Sequence, residues 1–116
     1  MAGYRIQRIS EDILRELSGI LPTLKDPRIS GLLSIVRVEV TNDLSYAKIH
    51  VSAVEGILAA KEAVKGLKSA SGFIRRELGA RMDLRKIPEL IFIADDSIAR
   101  SARISELLEQ LDERQD

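Results

Sequence analysis

The spacing of apolar residues along the chain changes from a helical to a strand period and back. Between residues 5 and 21 they recur every three or four positions, which predicts an amphipathic helix. Its apolar stripe consists of Ile6, Ile9, Ile13, Leu14, Leu17, Ile20 and Leu21. Pro22 ends this helix, and Pro27 and Gly31 make the segment LKDPRISG a predicted loop.

Two segments with a period of two follow the loop and predict a β-hairpin. In Ser34 to Thr41 the inward residues are predicted to be Val36, Val38 and Val40. Asn42-Asp43 supplies turn residues. The return strand alternates inward Ala47, Ile49, Val51 and Ala53 with outward Tyr46, Lys48, His50 and Ser52. One face of this sheet is therefore expected to contact water.

A helical period returns from Ile57 to about Met82. The pattern fits either one long helix or two helices joined at Gly66 or Gly72. After Pro88 the strand Leu90 to Ala94 is apolar at every position, which predicts that both of its faces are covered. Asp95-Asp96-Ser97 can cap a last helix. The predicted apolar side of that helix is Ile98, Ala102, Leu107, Leu108 and Leu111.

This order of elements predicts an α+β fold. A strand that returns through two helices to the same sheet should lie parallel to the strand it left, which gives a three-stranded mixed sheet with helices on one face. The arrangement resembles the type II K-homology fold, α-β-β-α-α-β, with an additional C-terminal helix. We expect a single domain over residues 1–116, with a core at about 5–98 and a C-terminal helix and acidic tail at 99–116.

Composition narrows the function classes. The chain has no cysteine, which excludes thiol catalysis and thiolate metal sites. The longest aliphatic and aromatic run, Leu90 to Ala94, is too short to span a bilayer, so we expect a cytoplasmic protein without a membrane partner. Lys plus Arg and Asp plus Glu both number 18. The balance is uneven along the chain, because residues 61–86 carry a net charge of +5 and residues 106–116 a net charge of −4.

The basic segment is the main candidate for chemistry. Gly72 lies on the same predicted helix face as several bases, so a phosphate could approach the backbone between cations. Candidate RNA-binding residues are Lys61, Lys65, Lys68, Ser69, Gly72, Arg75, Arg76, Arg81, Arg85 and Lys86, with Arg28 from the first loop. The alternative for Gly72 is close helix packing with the bases acting only as solubilising groups. For Arg28 the alternative is an ion pair with Asp26.

Other chemistry has less support in the sequence. Aromatic residues make up 3% of the chain, so no stacking platform for single strands is evident and structured RNA is the favoured target. His50 has no acid nearby in sequence, and Asp95-Asp96 is explained by helix capping. We therefore expect no enzymatic activity, no catalytic residues, no cofactor and no metal. The alternatives are a protein-protein module that uses the basic helix face and, with less support, a hydrolase or nuclease.

A series of motifs runs over nearly the whole chain. They are DPRI at Asp26 to Ile29, VEV followed by NDL at Val38 to Leu44, AKIHVS at Ala47 to Ser52, LKSASGFIRREL at Leu67 to Leu78, LR at Leu84-Arg85, PEL at Pro88 to Leu90, and DDS at Asp95 to Ser97. In this order and spacing the chain resembles the ribosome-binding factor A family. The chain departs from the family pattern at Ala99, where an acid is common, and at Ser101, where a glycine is common.

The resemblance implies a K-homology domain in which an Ala-x-Gly kink, here Ala70-Ser71-Gly72, replaces the usual Gly-x-x-G loop. It further implies a monomeric factor that binds free or precursor small ribosomal subunits and contacts ribosomal RNA near its 5′ end and the decoding region. Late maturation of the subunit, including 5′-end processing, and growth in the cold would depend on it. By position, the bases Lys68, Arg75, Arg76, Arg81, Arg85 and Lys86 would face the RNA.

Overall fold

The computed structural model describes residues 2–29 and 31–115. Over this part of the chain it contains four α-helices and three β-strands, with short 3₁₀ turns at Leu21–Thr23 and Pro27–Ile29. In chain order they are α1 (Ala2–Ile20), β1 (Leu33–Val40), β2 (Tyr46–Ala53), α2 (Ile57–Ser69), α3 (Ser71–Arg81), β3 (Glu89–Asp95) and α4 (Ser97–Gln115). No helix in the described part of the chain has both the length and the apolar character needed to cross a bilayer.

The three strands form one mixed sheet in the order β1-β2-β3. Strands β1 and β2 are antiparallel, whereas β2 and β3 are parallel, with Tyr46 opposite Glu89 and Ser52 opposite Asp95. The crossover through α2 and α3 makes the parallel pair possible, since parallel neighbours need a long connection. The predicted α+β class and mixed sheet are confirmed.

The core lies between the sheet and helices α1, α2 and α3. Its members share the inward face of each element, as the apolar periods predict. The cluster includes Ile9, Ile13, Leu17 and Ile20 of α1, Val64 and Leu67 of α2, Ile74 and Leu78 of α3, and Ala47, Ile49, Val51, Leu90 and Phe92 of the sheet. All of these residues are buried.

Strand β1 differs from the prediction at its start. The buried residues are Ile35, Val38 and Val40, whereas Val36 is only partly buried. The pairing with β2 shifts between Ile35 and Arg37, so a β-bulge adds one residue and breaks the strict alternation. Strict period-two counting therefore gave the wrong inward residue before the bulge and the right ones after it.

The outer face of the sheet is only partly exposed to water, which corrects two predictions. His50 and Ser52 are buried, because the start of α4 lies against this face and the Ile98 N–H donates to Ser52 Oγ at 3.2 Å. Conversely, Ile91 on β3 keeps 38% of its surface exposed, so β3 is not covered on both faces. The polar pattern of β2 could not indicate that a later helix would cover it.

Helix α4 projects from the rest of the protein. Its predicted apolar side does not pack against the core beyond the first turn, because Ala102, Leu107, Leu108 and Leu111 are all exposed. The molecule measures 59 × 38 × 18 Å, and its radius of gyration of 16.5 Å exceeds the value of about 13 Å expected for a compact domain of this length. The projecting helix accounts for this elongation.

Candidate nucleic-acid interface

The joint between α2 and α3 falls on Ala70. Its backbone angles, φ −92° and ψ 5°, leave the helical range, so the basic segment forms two helices rather than one. The joint lies at the first residue of the predicted Ala70-Ser71-Gly72 segment and not at Gly66 or Gly72. The Met82 N–H bonds to the Leu78 carbonyl where α3 ends, and an irregular loop then leads to β3.

The two glycines have different environments. Gly72 lies in the first turn of α3 and is exposed, and apart from its chain neighbours and its own helical turn no described residue comes within 4 Å of the position where a Cβ would be. Close packing therefore does not explain it, and the backbone at Gly72 is open to a ligand. Gly66 is buried within α2, where an added Cβ would lie 2.8 Å from Ile29 Cγ1. Gly66 is the glycine that permits close packing, here against the 3₁₀ turn Pro27–Ile29.

A cleft of about 540 Å³ opens beside Gly72. It is formed where the start of α3, the loop before β3 and the β1–β2 turn meet. Its lining residues are Ser45, Ser71, Gly72, Arg75, Arg85, Lys86, Ile87, Glu89 and Leu90. The structure therefore brings Gly72 together with three of the predicted bases, which come from two different segments.

Hydrogen bonds hold the three walls of the cleft together. Arg75 Nη2 donates to the Ile87 carbonyl at 2.9 Å, which ties α3 to the loop before β3. Lys86 Nζ lies 3.4 Å from Ser45 Oγ, and the Glu89 N–H donates to the Ser45 carbonyl at 2.9 Å. These bonds connect the loop and the start of β3 to the β1–β2 turn.

The β1–β2 turn is itself fixed by Asp43. Its Oδ1 accepts hydrogen bonds from the Ser45 N–H at 3.0 Å and from Thr41 Oγ1 at 2.8 Å. The Ser45 backbone hydrogen bond is the largest cause that lowers the pKa of Asp43 from its usual value. Leu44 takes a left-handed conformation with φ of 61°, an uncommon one for a non-glycine residue. An ionised Asp43 thus positions Ser45 at the cleft.

Arg28 lies outside the cleft and is ion-paired. Asp26 Oδ2 lies 2.7 Å from Arg28 Nη2, and Asp26 Oδ1 accepts from Arg28 Nε at 3.1 Å and from its N–H at 2.8 Å. The side-chain hydrogen bond from Arg28 is the main cause that lowers the pKa of Asp26. Arg28 Nη2 also reaches Ser69 Oγ at 3.4 Å, so this loop is anchored to the end of α2.

The other predicted bases fall into two groups. Lys65 pairs with Glu62 at 3.0 Å, and Arg81 turns toward α1, where its guanidinium lies 3.6 Å from Glu16. By contrast, Lys61, Lys68 and Arg76 are exposed and form no ion pair with another described residue. None of these five bases lines the cleft.

Sequence reasoning missed Ser45, Ile87 and Glu89 as parts of the cleft. Ser45 and Glu89 are 44 positions apart in the chain and meet only through the parallel pairing of β2 with β3. No local motif reports such a contact. Glu89 also places one carboxyl group at the edge of an otherwise basic site.

His50 differs from its prediction, because it is buried and has an acidic neighbour. Its Nε2 lies 2.9 Å from Glu39 Oε1, and Arg37 Nε lies 3.0 Å from the same oxygen. The acid comes from the neighbouring strand, which is why sequence proximity did not reveal it. This group lies on the outer face of the sheet and does not line the cleft. The described residues contain no group of three or more potential metal ligands.

Comparisons with known proteins agree on one family. A family model described as ribosome-binding factor A matches residues 5–108. Ribosome-binding factor A of Acetivibrio thermocellus is 51% identical over 107 residues, which cover 91% of this chain and 87% of the relative. The counterpart from Clostridium novyi is 44% identical over 115 residues, which cover 98% of this chain and 95% of the relative.

Solved structures give the same result. The crystal structure of ribosome-binding factor A from Thermus thermophilus has a TM-score of 0.69 and 25% identity, covering 77% of this chain and 93% of that one. A homology model of the Thermus thermophilus protein, fitted into a cryo-EM map of its complex with the 30S subunit, has a TM-score of 0.62 and 26% identity, covering 72% of this chain and 88% of that one. Because family model, relatives and structures cover most of its length, this chain belongs to the ribosome-binding factor A family.

Proposed function

We propose that this protein is an RNA-binding assembly factor of the small ribosomal subunit and that the cleft beside Gly72 meets ribosomal RNA. The observation that carries the proposal is the convergence of Arg75, Arg85 and Lys86 on an exposed stretch of backbone. The Thermus thermophilus relative is described in complex with the 30S subunit, which supports the choice of target.

The charge of the cleft suits a phosphate backbone. Its lining contains three cations and one carboxyl residue, although the chain as a whole has a net charge of zero. Arg75 uses Nη2 to hold the Ile87 carbonyl, but a guanidinium has five N–H donors, so others remain for a phosphate oxygen. A site of this kind binds RNA with a salt-sensitive affinity and reads little base sequence.

The surroundings of Gly72 suit close approach by RNA. Since no described residue beyond its own helical turn comes within 4 Å of a Cβ position at Gly72, a phosphate or ribose can reach the backbone of the first turn of α3. Lys68 on the last turn of α2 and Arg76 on α3 are exposed cations nearby in the chain and can add contacts as the RNA continues beyond the cleft. Ser69 lies at the same joint, where its Oγ bonds to the Lys65 carbonyl.

Three of the predicted bases contribute less to the proposed RNA contacts. Each of Arg28, Lys65 and Arg81 has a carboxylate within 4 Å, so its charge is already partly balanced. A phosphate would compete with that carboxylate for the cation. We therefore assign Arg75, Arg85 and Lys86 the main contacts, and Lys61, Lys68 and Arg76 supporting ones.

Membership of the family extends the proposal beyond binding. The protein would act on free or precursor subunits near the 5′ end and the decoding region of their RNA. It would promote late maturation and 5′-end processing, with its greatest effect in the cold. It would do so as a monomer and without catalysis, by occupying a site on the immature particle.

Sedimentation with purified free small subunits tests the site. The cleft variant is Arg75→Glu with Arg85→Glu, and the control is Arg5→Glu with Arg8→Glu on α1, which makes the same change in net charge. We expect the cleft variant to bind at least about tenfold more weakly, and the slope of log affinity against log salt to fall by about two. The control should change binding by less than about twofold. Circular dichroism and urea unfolding check that both variants fold.

The possible outcomes distinguish an effect of the cleft from an effect of the overall net charge. Equal losses in the two variants would show that overall charge, rather than the cleft, governs binding. Unchanged binding of the cleft variant would show that the RNA-facing surface lies elsewhere. Binding that persists after the subunit RNA is digested with ribonuclease would instead favour a protein-protein module.

A further inference from the structure

Helix α4 carries an exposed apolar stripe. Ile104, Leu107, Leu108 and Leu111 have the spacing i, i+3, i+4, i+7, which places them on one side of the helix. They are exposed by 52%, 53%, 57% and 52% of their surface. Every residue from Arg100 to Asp112 is exposed, so no described part of the chain covers this stripe. An exposed apolar surface of this kind is typical of an interaction site.

The charge around the stripe indicates what can cover it. Arg103 lies at the start of the stripe, but from residue 106 onward the charges are mostly acidic: Glu106, Glu109 and Asp112 lie on the same turns as the leucines, and residues 106–116 have a net charge of −4. An RNA backbone would be repelled by this segment. A protein surface rich in Lys and Arg would be attracted, and its apolar side chains would cover the leucines. A second copy of the chain would bring two acidic segments together.

We propose that the exposed apolar side of α4 docks a basic, amphipathic segment of a protein partner. Such a segment would lay its own apolar side chains along Leu107, Leu108 and Leu111 while its Lys or Arg residues reach the acids of α4. The proposal does not rest on the function of the cleft, since different residues form the two surfaces.

The position of α4 allows both surfaces to be occupied together. The cleft is at the Ser45 end of β2, whereas α4 begins at the opposite end, where Ser52 accepts a hydrogen bond from the Ile98 N–H. Eight residues of extended strand separate these ends by roughly 25 Å. A ligand in the cleft would therefore leave α4 accessible.

Site-specific crosslinking tests the proposal on the full chain. Because the sequence has no cysteine, Leu108→Cys provides a unique position for a benzophenone maleimide. Phe73→Cys, next to Gly72 and 43% exposed in the native protein, provides the matched position beside the cleft. Each labelled protein is irradiated with purified free small subunits, and the products are treated with ribonuclease or protease.

The label at position 108 should crosslink to a protein, through a peptide rich in Lys and Arg, and the product should resist ribonuclease. The label at position 73 should crosslink to RNA, which reports on the cleft separately. The proposal is overturned if the label at position 108 reacts with RNA, with a second copy of the chain, or with nothing while the label at position 73 reacts.

A second measurement does not need the ribosome. A synthetic helical peptide with Leu and Lys at helical spacing is titrated into the protein, with a Leu and Glu peptide as control. The Lys peptide should bind about tenfold more tightly than the Glu peptide, and Leu107→Ser with Leu108→Ser should remove that advantage. The matched variant Leu32→Ser with Leu58→Ser, two residues exposed by 72% and 76%, should leave it unchanged. Equal binding of both peptides, or an equal loss in the matched variant, would refute the assignment to α4.

Discussion

An added methyl group at Gly66 should destabilise the protein, whereas the same change at Gly72 should not. At Gly66 the new Cβ would lie 2.8 Å from Ile29 Cγ1 and 3.3 Å from Arg28 Cβ. Overpacking of this kind costs about 1 to 3 kcal/mol. Alanine is favoured over glycine inside a helix by about 1 kcal/mol, which offsets part of the cost. We therefore expect Gly66→Ala to lower the free energy of unfolding by about 1 kcal/mol.

Gly72→Ala provides the matched control. No described residue beyond its own helical turn lies within 4 Å of its Cβ position and its φ is not positive, so the substitution should stabilise the protein by up to about 1 kcal/mol. Urea unfolding midpoints at equal slopes measure both changes. In the background of Gly66→Ala, Ile29→Ala should cost less than it does alone, because the clash is removed. The reasoning would be refuted if Gly66→Ala stabilised the protein as much as Gly72→Ala.

The contacts of individual side chains lead to three further predictions. Arg81→Ala should change subunit binding by less than about twofold, since Arg81 faces Glu16. Arg85→Ala should weaken subunit binding several-fold in the same sedimentation assay. Equal effects would contradict the assignment of Arg85, but not Arg81, to the RNA contacts. Ser52→Ala should cost about 1 to 2 kcal/mol and speed hydrogen exchange at the start of α4, because the Ile98 N–H loses its acceptor; unchanged exchange there would show that this bond does not fasten α4. The free energy of unfolding should fall as the pH drops below about 4, because folding lowers the pKa values of Asp26, Asp43 and Asp95. The ionised carboxylates stabilise the protein at any pH above their unfolded pKa, and this stabilisation is lost as the pH falls through their folded pKa. Urea unfolding at pH 7 and pH 3 measures this, and equal stability at both would contradict it.

The presence of helical segments was predictable because it depends on local periodicity, although the pattern left open whether one helix or two lie between Ile57 and Met82. The mixed sheet was predictable from the connections between the elements. The stripe from Ile6 to Leu21 predicts α1, and its residues Ile9, Ile13, Leu17 and Ile20 are buried. The two-helix connection before β3 predicts a parallel pair, which the structure contains. Chain chirality and connection length decide this pairing, and both can be deduced from one sequence.

The bulge and the covered outer face were not predictable, because both depend on partners distant in sequence. One extra residue at Val36 leaves the composition of the strand unchanged but shifts its pairing with β2. The burial of His50 and Ser52 depends on where α4 begins, more than 40 residues later. A strand pattern shows which side chains alternate, not what later covers them.

The site was predictable as a set of bases but not as a cleft. Arg75 lies on the basic helix face and Arg85 in the loop that follows it, and both charges can be read directly from the sequence. Which bases remain available depends on acids such as Asp26 and Glu16, and these come from other elements. Ser45 and Glu89 join the site only through tertiary pairing. Charge counting alone therefore cannot separate the bases that line the cleft from those that already face a carboxylate.

The net charge of zero conceals two oppositely charged surfaces. The cations of the cleft lie at one end of β2, and α4, which carries the acids, begins at the other end, so the charges belong to separate surfaces. Binding to arbitrary RNA depends on the number of phosphates neutralised, and a cleft with three cations supplies few. If α4 docks a basic protein segment, productive binding requires RNA and protein at the right separation. A particle that offers both would then be preferred over free RNA, without any base-specific contact.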